Sequence, residues 1–192
     1  TWRGPAANQQ IYLTFDDGPV PEVTEMVLAQ LAQYQAQATF FCVGENIFRY
    51  PHLARQVAAG GHRLANHTYN HLRGWDTPTD TYTHNIACCQ QLLDLIQPPT
   101  APKLFRPPHG RLTRAQYQKI KNEYRVIMWD VLTYDFDAAL LPEVCLKQAL
   151  KHTAAGSVVV FHDSVKASRH VQYVLPRFLE YFASQGYRFA TL

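Results

Sequence analysis

The sequence lacks the features that would place the chain in a membrane or on a nucleic acid. No run of apolar residues approaches the roughly 18 that a membrane-spanning helix needs, and no charged segment followed by an apolar one opens the chain. Charged residues make up only 17% of it, and the formal net charge is +3. We therefore expect no transmembrane segment, no signal peptide within these residues and no nucleic-acid partner.

Cysteine is also scarce, and its spacing excludes the common structural zinc sites. The four cysteines, Cys42, Cys88, Cys89 and Cys145, contain no C-x-x-C pair. Cys42 lies in an apolar run and Cys145 in a helical pattern, so we interpret the cysteines as buried thiols rather than as a disulfide framework.

Short apolar runs alternate with helical patterns along all 192 residues, a length that suits one domain with a sizeable core. Strands are predicted at residues 11–15, 38–43, 62–66, 104–106, 125–129, 157–161 and 187–191. Helices are predicted at residues 21–33, 51–59, 82–96, 113–123, 142–152 and 171–185. The longest irregular stretch, residues 73–81, is predicted to be a functional loop. We expect a single domain over residues 1–192.

Alternating strands and helices indicate a parallel sheet with helical crossovers, either open or closed into a barrel. Polar residues follow the carboxyl ends of five predicted strands, and a barrel would gather those ends around one mouth. These residues are Asp16 and Asp17, His67, Arg106, the segment 130–135, and His162 with Asp163. The sequence therefore favours an α/β fold, a distorted and incomplete TIM-like (β/α)7 barrel.

Two adjacent aspartates, Asp16 and Asp17, end the first predicted strand and are followed by the turn sequence Gly18-Pro19. A metal ion beside them would offset their repulsion, with one carboxylate as ligand and the other as proton acceptor. Taken alone, the same residues also suit a solvated turn.

The pair His67 and His71 is a second signal. Two histidines at i and i+4 would lie on one face of a helical turn, within reach of a single cation. With Asp17 they would supply two imidazoles and one carboxylate and leave a fourth position open. That set suits a catalytic zinc, although cobalt, nickel or iron accept a similar one. The alternative is two surface histidines among the nine in the chain.

Three more segments place reactive groups at strand ends. Arg106 precedes a stiff pair of prolines, and His162 follows an apolar strand, where an imidazole is placed for proton transfer. The segment from Trp129 to Phe136 adds carboxylates and aromatic rings that suit carbohydrate. Each has a structural alternative, namely an exposed arginine, a structural histidine and core aromatic residues.

Together these segments resemble the polysaccharide deacetylases of the NodB-homology type, carbohydrate esterase family four. Five motifs of that family occur in order between residues 11 and 192. They are TFDDGP at 14–19, HTxxH at 67–71, RPPxG at 106–110, an aspartate-bearing segment after Trp129, and an apolar strand ending in His162. The resemblance implies an incomplete barrel and a metal-dependent N-deacetylase.

The resemblance also implies roles for individual residues. Asp17, His67 and His71 would bind one divalent metal ion, zinc by preference, with cobalt, nickel or iron as alternatives. Asp16 would be the general base, and Arg106 would orient it.

His162 would be the general acid, and Asp135 would hold it and stabilise its protonated form. The groove that binds substrate would include His109, Phe136, Val160 and Pro107.

The sequence departs from the family pattern at the groove. His109 and Phe136 replace a tyrosine and a tryptophan, Leu132 replaces the first aspartate of a D-x-x-D-W motif, and Leu72 replaces a proline. These changes affect substrate preference more than the chemistry.

We therefore predict metal-dependent hydrolysis of N-acetyl groups on poly- or oligosaccharides that contain N-acetylglucosamine, such as peptidoglycan or chitin, with release of acetate. The alternatives are an inactive carbohydrate-binding relative and a metal amidase or imidase acting on a small non-sugar substrate. We expect the partner to be an N-acetylated glycan and the chain to be a monomer. We expect it to act at the cell envelope or outside the cell.

Overall fold

A computed structural model describes residues 1–6, 9–99 and 102–192, and eight strands within them form one sheet. The strands are β1 (Gln10–Asp16), β2 (Ala38–Cys42), β3 (Arg63–Asn66), β4 (Lys103–Phe105), β5 (Tyr124–Val126), β6 (Val131–Leu132), β7 (Val158–His162) and β8 (Arg188–Phe189). Seven of them follow the order β5-β4-β3-β2-β1-β7-β6, and β8 pairs with β1 beside this path. All of these pairings are parallel.

The described residues form seven α-helices, most of which connect successive strands. They are α1 (Val23–Gln33), α2 (Gly44–Arg49), α3 (Pro51–Ala59), α4 (Thr79–Asp94), α5 (Arg114–Ile120), α6 (Pro142–His152) and α7 (Ser168–Ser184). None of them is long and apolar enough to cross a membrane. The predicted loop at residues 73–81 contains a short 3-10 turn, Gly74–Asp76, and the first residues of α4.

Side chains alternate along the strands between two apolar clusters. In β1, Leu13 and Phe15 face the helices and join the large core, which includes Phe40 and Phe161. Tyr12 points to the opposite side, into a small cluster inside the barrel. Because successive side chains of a strand point to opposite faces, the polar Thr14 and Asp16 share the inner face with Tyr12.

The predicted strand at residues 125–129 is wrong in its extent. β5 ends at Val126, and the next four residues cross from one end of the sheet to the other before β6 begins at Val131. No hydrogen bonds join β5 to β6 among the described strands, so the barrel stays open there. The prediction of an incomplete, distorted (β/α)7 barrel is confirmed.

The central position of β1 decides where the chemistry lies. Asp16 is in register with Phe41 of β2 on one side and with His162 of β7 on the other. The carboxyl ends of parallel strands meet at one edge, so the aspartates and His162 come together at the mouth of the barrel.

Candidate active site

Asp16 lies at the mouth of the barrel and is only 4% exposed. Arg106, which follows β4 and is fully buried, donates from Nη1 to Asp16 Oδ1 at 2.6 Å and to Thr14 Oγ1 at 2.8 Å. The same guanidinium donates to the carbonyl oxygens of Ile127 and Met128, at 3.3 Å and 3.2 Å. Arg106 therefore orients Asp16 and also holds the segment that crosses the open side of the barrel.

The backbone turns at Asp17, whose φ of 79° directs its side chain away from that of Asp16. Its carbonyl oxygen accepts a 2.7 Å hydrogen bond from Asn46 Nδ2 on α2. The side chain is 30% exposed and reaches two histidines that follow β3.

The helical turn predicted for His67 and His71 is wrong. The two residues lie in an irregular loop in which Thr68 and His71 have positive φ angles of 65° and 54°. Side chains hold this loop: Asn66 Oδ1 accepts from the backbone N–H of Thr68, and Asn85 Oδ1 accepts from that of Tyr69. The loop nevertheless places both imidazoles beside Asp17.

Asp17, His67 and His71 form a compact cluster of metal-ligating groups, with one ligand atom from each lying within 4.8 Å of the others. Asp17 Oδ1 lies 3.6 Å from His67 Nε2 and 3.2 Å from His71 Nε2. Burial lowers the pKa of His67 to about 4, which keeps its ring neutral. Its Nδ1 lies 2.8 Å from the carbonyl oxygen of Arg106, so the ring proton sits there and Nε2 carries the free electron pair.

The charge of Asp17 also suits a ligand. Burial would raise its pKa, but the hydrogen bond to His71 and the positive charge of His162 hold that pKa well below its usual range. Two imidazoles and one carboxylate are a donor set that fits a divalent ion such as zinc.

His162 at the end of β7 is held by Asp135. Its Nδ1 lies 2.7 Å from Asp135 Oδ1, and its backbone N–H donates to Asp135 Oδ2 at the same distance. Burial lowers the pKa of His162, but the nearby Asp135 carboxylate has the larger effect and raises that pKa to about 9. The competing Asp130 lies at the other end of β7, where its carboxylate accepts from the N–H of Val158 and pairs with Arg3.

These groups surround a cavity of about 570 Å³. Three predicted substrate-binding residues, His109, Phe136 and Val160, line it, whereas Pro107 is buried outside its wall. The Phe136 ring stands edge-on to His162 at 5.1 Å between centroids. The remaining wall includes Trp129 and Leu132, from the segment that suits carbohydrate, and Gly110, Ser164 and Lys166, which sequence reasoning did not assign to substrate.

Sequence reasoning also missed the structural role of Asp163. This buried carboxyl accepts from the backbone N–H of Gly18 at 3.0 Å and from Thr24 Oγ1 at 2.7 Å. Burial is the largest cause of its raised pKa, about 8. Asp163 therefore anchors the turn that carries Asp17, but its partners are 139 and 145 residues away in the sequence, so no local pattern reveals them.

The family model described as "Polysaccharide deacetylase" matches residues 3–126, about two thirds of the chain. The chain belongs to this family. A peptidoglycan-N-acetylglucosamine deacetylase from Bacillus cereus is 33% identical over 194 aligned residues, which cover 100% of this chain and 90% of that protein. A chitooligosaccharide deacetylase from Azorhizobium caulinodans is 33% identical over 155 residues, covering 80% of this chain and 73% of the relative.

A crystal structure of a peptidoglycan N-acetylglucosamine deacetylase, in complex with 4-naphthalen-1-yl-N-oxidanyl-benzamide, superposes on the whole chain and on 89% of that structure. Its TM-score is 0.92 at 29% sequence identity. The chain thus shares its incomplete barrel with a solved member of the family.

Proposed function

We propose that the chain is a metal-dependent N-deacetylase acting on glycans that contain N-acetylglucosamine, such as peptidoglycan or chitin, and that it releases acetate. The proposal rests on one observation: Asp16 and His162 lie in register on neighbouring strands, beside the Asp/His/His cluster, and both face one cavity. A proton acceptor, a proton donor and a metal-ligand set around one cavity are the parts that amide hydrolysis without a covalent intermediate requires. We propose residues 1–192 as one such domain, acting at the cell envelope or outside the cell.

Asp17, His67 and His71 would hold one divalent ion, zinc by preference and cobalt, nickel or iron as alternatives. When bound, such an ion lowers the pKa of a water molecule and polarises the acetyl carbonyl group.

Asp16 would accept the proton of the attacking water. Arg106 occupies Asp16 Oδ1, which leaves Oδ2 as the free acceptor. Because Arg106 is itself held by the carbonyl groups of Ile127 and Met128, the acceptor keeps one orientation throughout the reaction.

His162 would donate a proton to the departing amine. Its Nδ1 is bound by Asp135, so Nε2 is the donor. With a pKa of about 9 the ring carries its proton at neutral pH. This proton is essential, since an unprotonated amine anion is a very poor leaving group.

The shape of the site favours a polymer over a small molecule. Gly110 lines both the catalytic cavity and a neighbouring cavity of about 850 Å³. Trp129 and Leu132 line both the catalytic cavity and a third cavity of about 440 Å³. Concave surface on two sides of the catalytic cavity suits the interior of a chain, whereas a small amide or imide would call for an enclosed pocket.

Two measurements test this function. Acetate release is followed on chitin oligomers and peptidoglycan strands, and hydrolysis of the imide bond is followed on a small cyclic imide, after chelation and reloading with zinc, cobalt, nickel or iron. We expect acetate from the glycans and no imide hydrolysis, and activity only with metal. An inactive carbohydrate-binding relative would bind the glycans and release no acetate with any metal.

The second measurement uses Asp16→Asn, which cannot accept the proton of water. We expect it to keep its metal and to lose on the order of a hundredfold or more in kcat. Because Arg106 then lies buried without its counter-charge, the variant should also unfold at a lower temperature. Near-normal turnover in Asp16→Asn would exclude Asp16 as the base.

A further inference from the structure

The cavity of about 850 Å³ beside the catalytic site has no role in the chemistry above. A row of rings leads to it: His71 stands edge-on to His109 at 4.9 Å, and His109 edge-on to Trp75 at 5.6 Å. Gly110 lies between the two cavities with a φ of 68°, and a Cβ there would come within 2.6 Å of the Trp129 ring. Only a glycine fits, because the Trp129 ring packs directly against the backbone at this point of the shared wall.

Three exposed aromatic side chains line this second cavity. Trp2, Trp75 and Tyr117 have exposed fractions of 61%, 43% and 43%. Three large rings grouped on one concave surface suit contact with a ligand, and their faces suit the apolar faces of sugars.

The same wall is positively charged. Arg111, Lys121 and Arg125 line it, against a single acidic residue, Glu123. In the described part of the chain, none of the three cations lies within ion-pair distance of a carboxylate. The Arg111 guanidinium lies 5.7 Å from the centre of the Trp75 ring, which places charge and aromatic surface side by side.

We propose that this second cavity binds a carboxylate-bearing segment of the glycan whose acetamido group occupies the catalytic cavity. The proposal rests on the proposed function and adds a second binding site to it. The aromatic rings favour a sugar chain and the cations favour an acidic one. Because the two cavities share Gly110 in their walls, they are close enough for one strand to reach from one to the other. A neutral chitin chain would leave the three cations without partners.

The test compares two ligands that differ only in charge. One is peptidoglycan strand stripped of peptide, in which the ether-linked carboxylates on the sugars are the only acidic groups. The other is the same strand with those carboxyl groups reduced to alcohols. A third ligand, the strand with its peptides retained, shows whether carboxylates on peptide bind in place of those on sugar.

The cavity variant is the double substitution Lys121→Gln and Arg125→Gln. The matched control is the double substitution Arg55→Gln and Lys147→Gln. The control removes one arginine and one lysine from exposed positions on α3 and α6 that line neither cavity. Dissociation constants are measured in the Asp16→Asn background, so that they do not depend on turnover.

We expect carboxyl reduction to weaken binding about tenfold in the control, as two exposed ion pairs would give. In the cavity variant the two strands should bind within about twofold of each other. The proposal is overturned if reduction has the same effect in both proteins, or no effect in either. It is overturned as well if only the strand with peptides shows the difference.

Kinetics of the proteins that retain Asp16 separate this proposal from the proposed function. The KM for intact strands should rise in the cavity variant while kcat stays the same, and the KM for reduced strands should not change. If no protein releases acetate but the binding difference is found, the proposed function fails and the second site stands. If acetate is released and the KM values of the two strands agree in every protein, the second site alone fails.

Discussion

His71 reaches the metal-ligand cluster from the rim of the cavity, with 32% of its side chain exposed. His71→Ala should remove one of three donors and leave the core intact, so we expect metal affinity to fall by about a hundredfold or more. Elemental analysis after dialysis measures this directly. His52→Ala, at an exposed position on α3, is the control and should keep a full complement of metal. Full occupancy in His71→Ala would show that the cluster is not the metal site.

Asp135 and Asp130 both lie near Trp129 in the sequence, but only Asp135 contacts His162. The carboxylate raises the pKa of His162, so the ring stays protonated, and active as an acid, up to a higher pH. Asp135→Asn should lower that pKa and move the alkaline limb of the kcat profile to lower pH. Asp130→Asn should leave the limb in place, and the reverse result would exchange the two roles.

The loop that carries His67 and His71 has a conformation that the sequence did not predict. The HTxxH motif predicted that His67 and His71 lie beside Asp17, and the structure places them there. The predicted helical turn was wrong, since positive φ angles bring the two rings together. Asn66 holds this loop locally, through the N–H of Thr68, but Asn85 holds it from α4, and no local pattern reveals that contact.

Among the elements, helices α3 and α6 begin and end where the sequence predicts. Both start with a proline, Pro51 and Pro142, which suits the first turn because that position needs no N–H donor. The short helix α2 was missed, since its six residues carry too little periodicity to be seen. The strand at 125–129 was overextended, since an apolar run does not show where its backbone leaves a sheet.

Asp163 links three elements: β7, the turn after β1, and α1 through Thr24. Its raised pKa means that the folded protein keeps this proton between pH values of about 3.8 and 8, where the unfolded chain has lost it. The stability that this group contributes is therefore fully present below about pH 3.8 and is lost progressively as the pH rises from there to about 8. Asp163→Asn keeps an acceptor and a donor but cannot ionise.

We therefore expect Asp163→Asn to gain stability relative to the wild type as the pH rises from 5 toward 8, the upper limit set by the pKa of Asp163. Urea denaturation of the chelator-treated proteins at several pH values measures the difference. Asp163→Ala, which leaves the Gly18 N–H and the Thr24 hydroxyl without their acceptor, should be destabilised at every pH by about 2–4 kcal/mol. A constant difference between wild type and Asp163→Asn would show that Asp163 is ionised in the folded state.

At the scale of the whole molecule, a buried side chain supports the open side of the barrel. Arg106, at the end of β4, connects Asp16 on β1 to the crossing segment at Ile127 and Met128. Arg106→Met would leave the Asp16 carboxylate buried without its counter-charge, at a cost of about 3–5 kcal/mol. Chemical denaturation should show this loss, and adding Asp16→Asn should restore part of it.

Arg114→Met is the control for the loss of the Arg106 contacts, since Arg114 is exposed at the start of α5. This control should change the free energy of unfolding by less than about 0.5 kcal/mol. If Arg106→Met unfolds at the same denaturant concentration as this control, the contacts of Arg106 do not stabilise the barrel. The arginine at the strand end was predicted from the sequence, but its contact with the crossing segment was not, because that segment was interpreted as a strand.

The central position of β1 has a consequence for how the chain folds. β1 pairs with β2 across the connection at residues 17–37, which contains α1, but its other neighbours are β7 and β8, and the contact from Asp163 to Gly18 spans 145 residues. Closing so long a loop costs entropy before any contact is gained, and such topologies fold slowly. Asp16 and His162 meet only when this docking is complete. The turn that carries Asp17 gains its anchor, Asp163, only at that point as well, so we expect competence for hydrolysis to arise last, after β7 has docked.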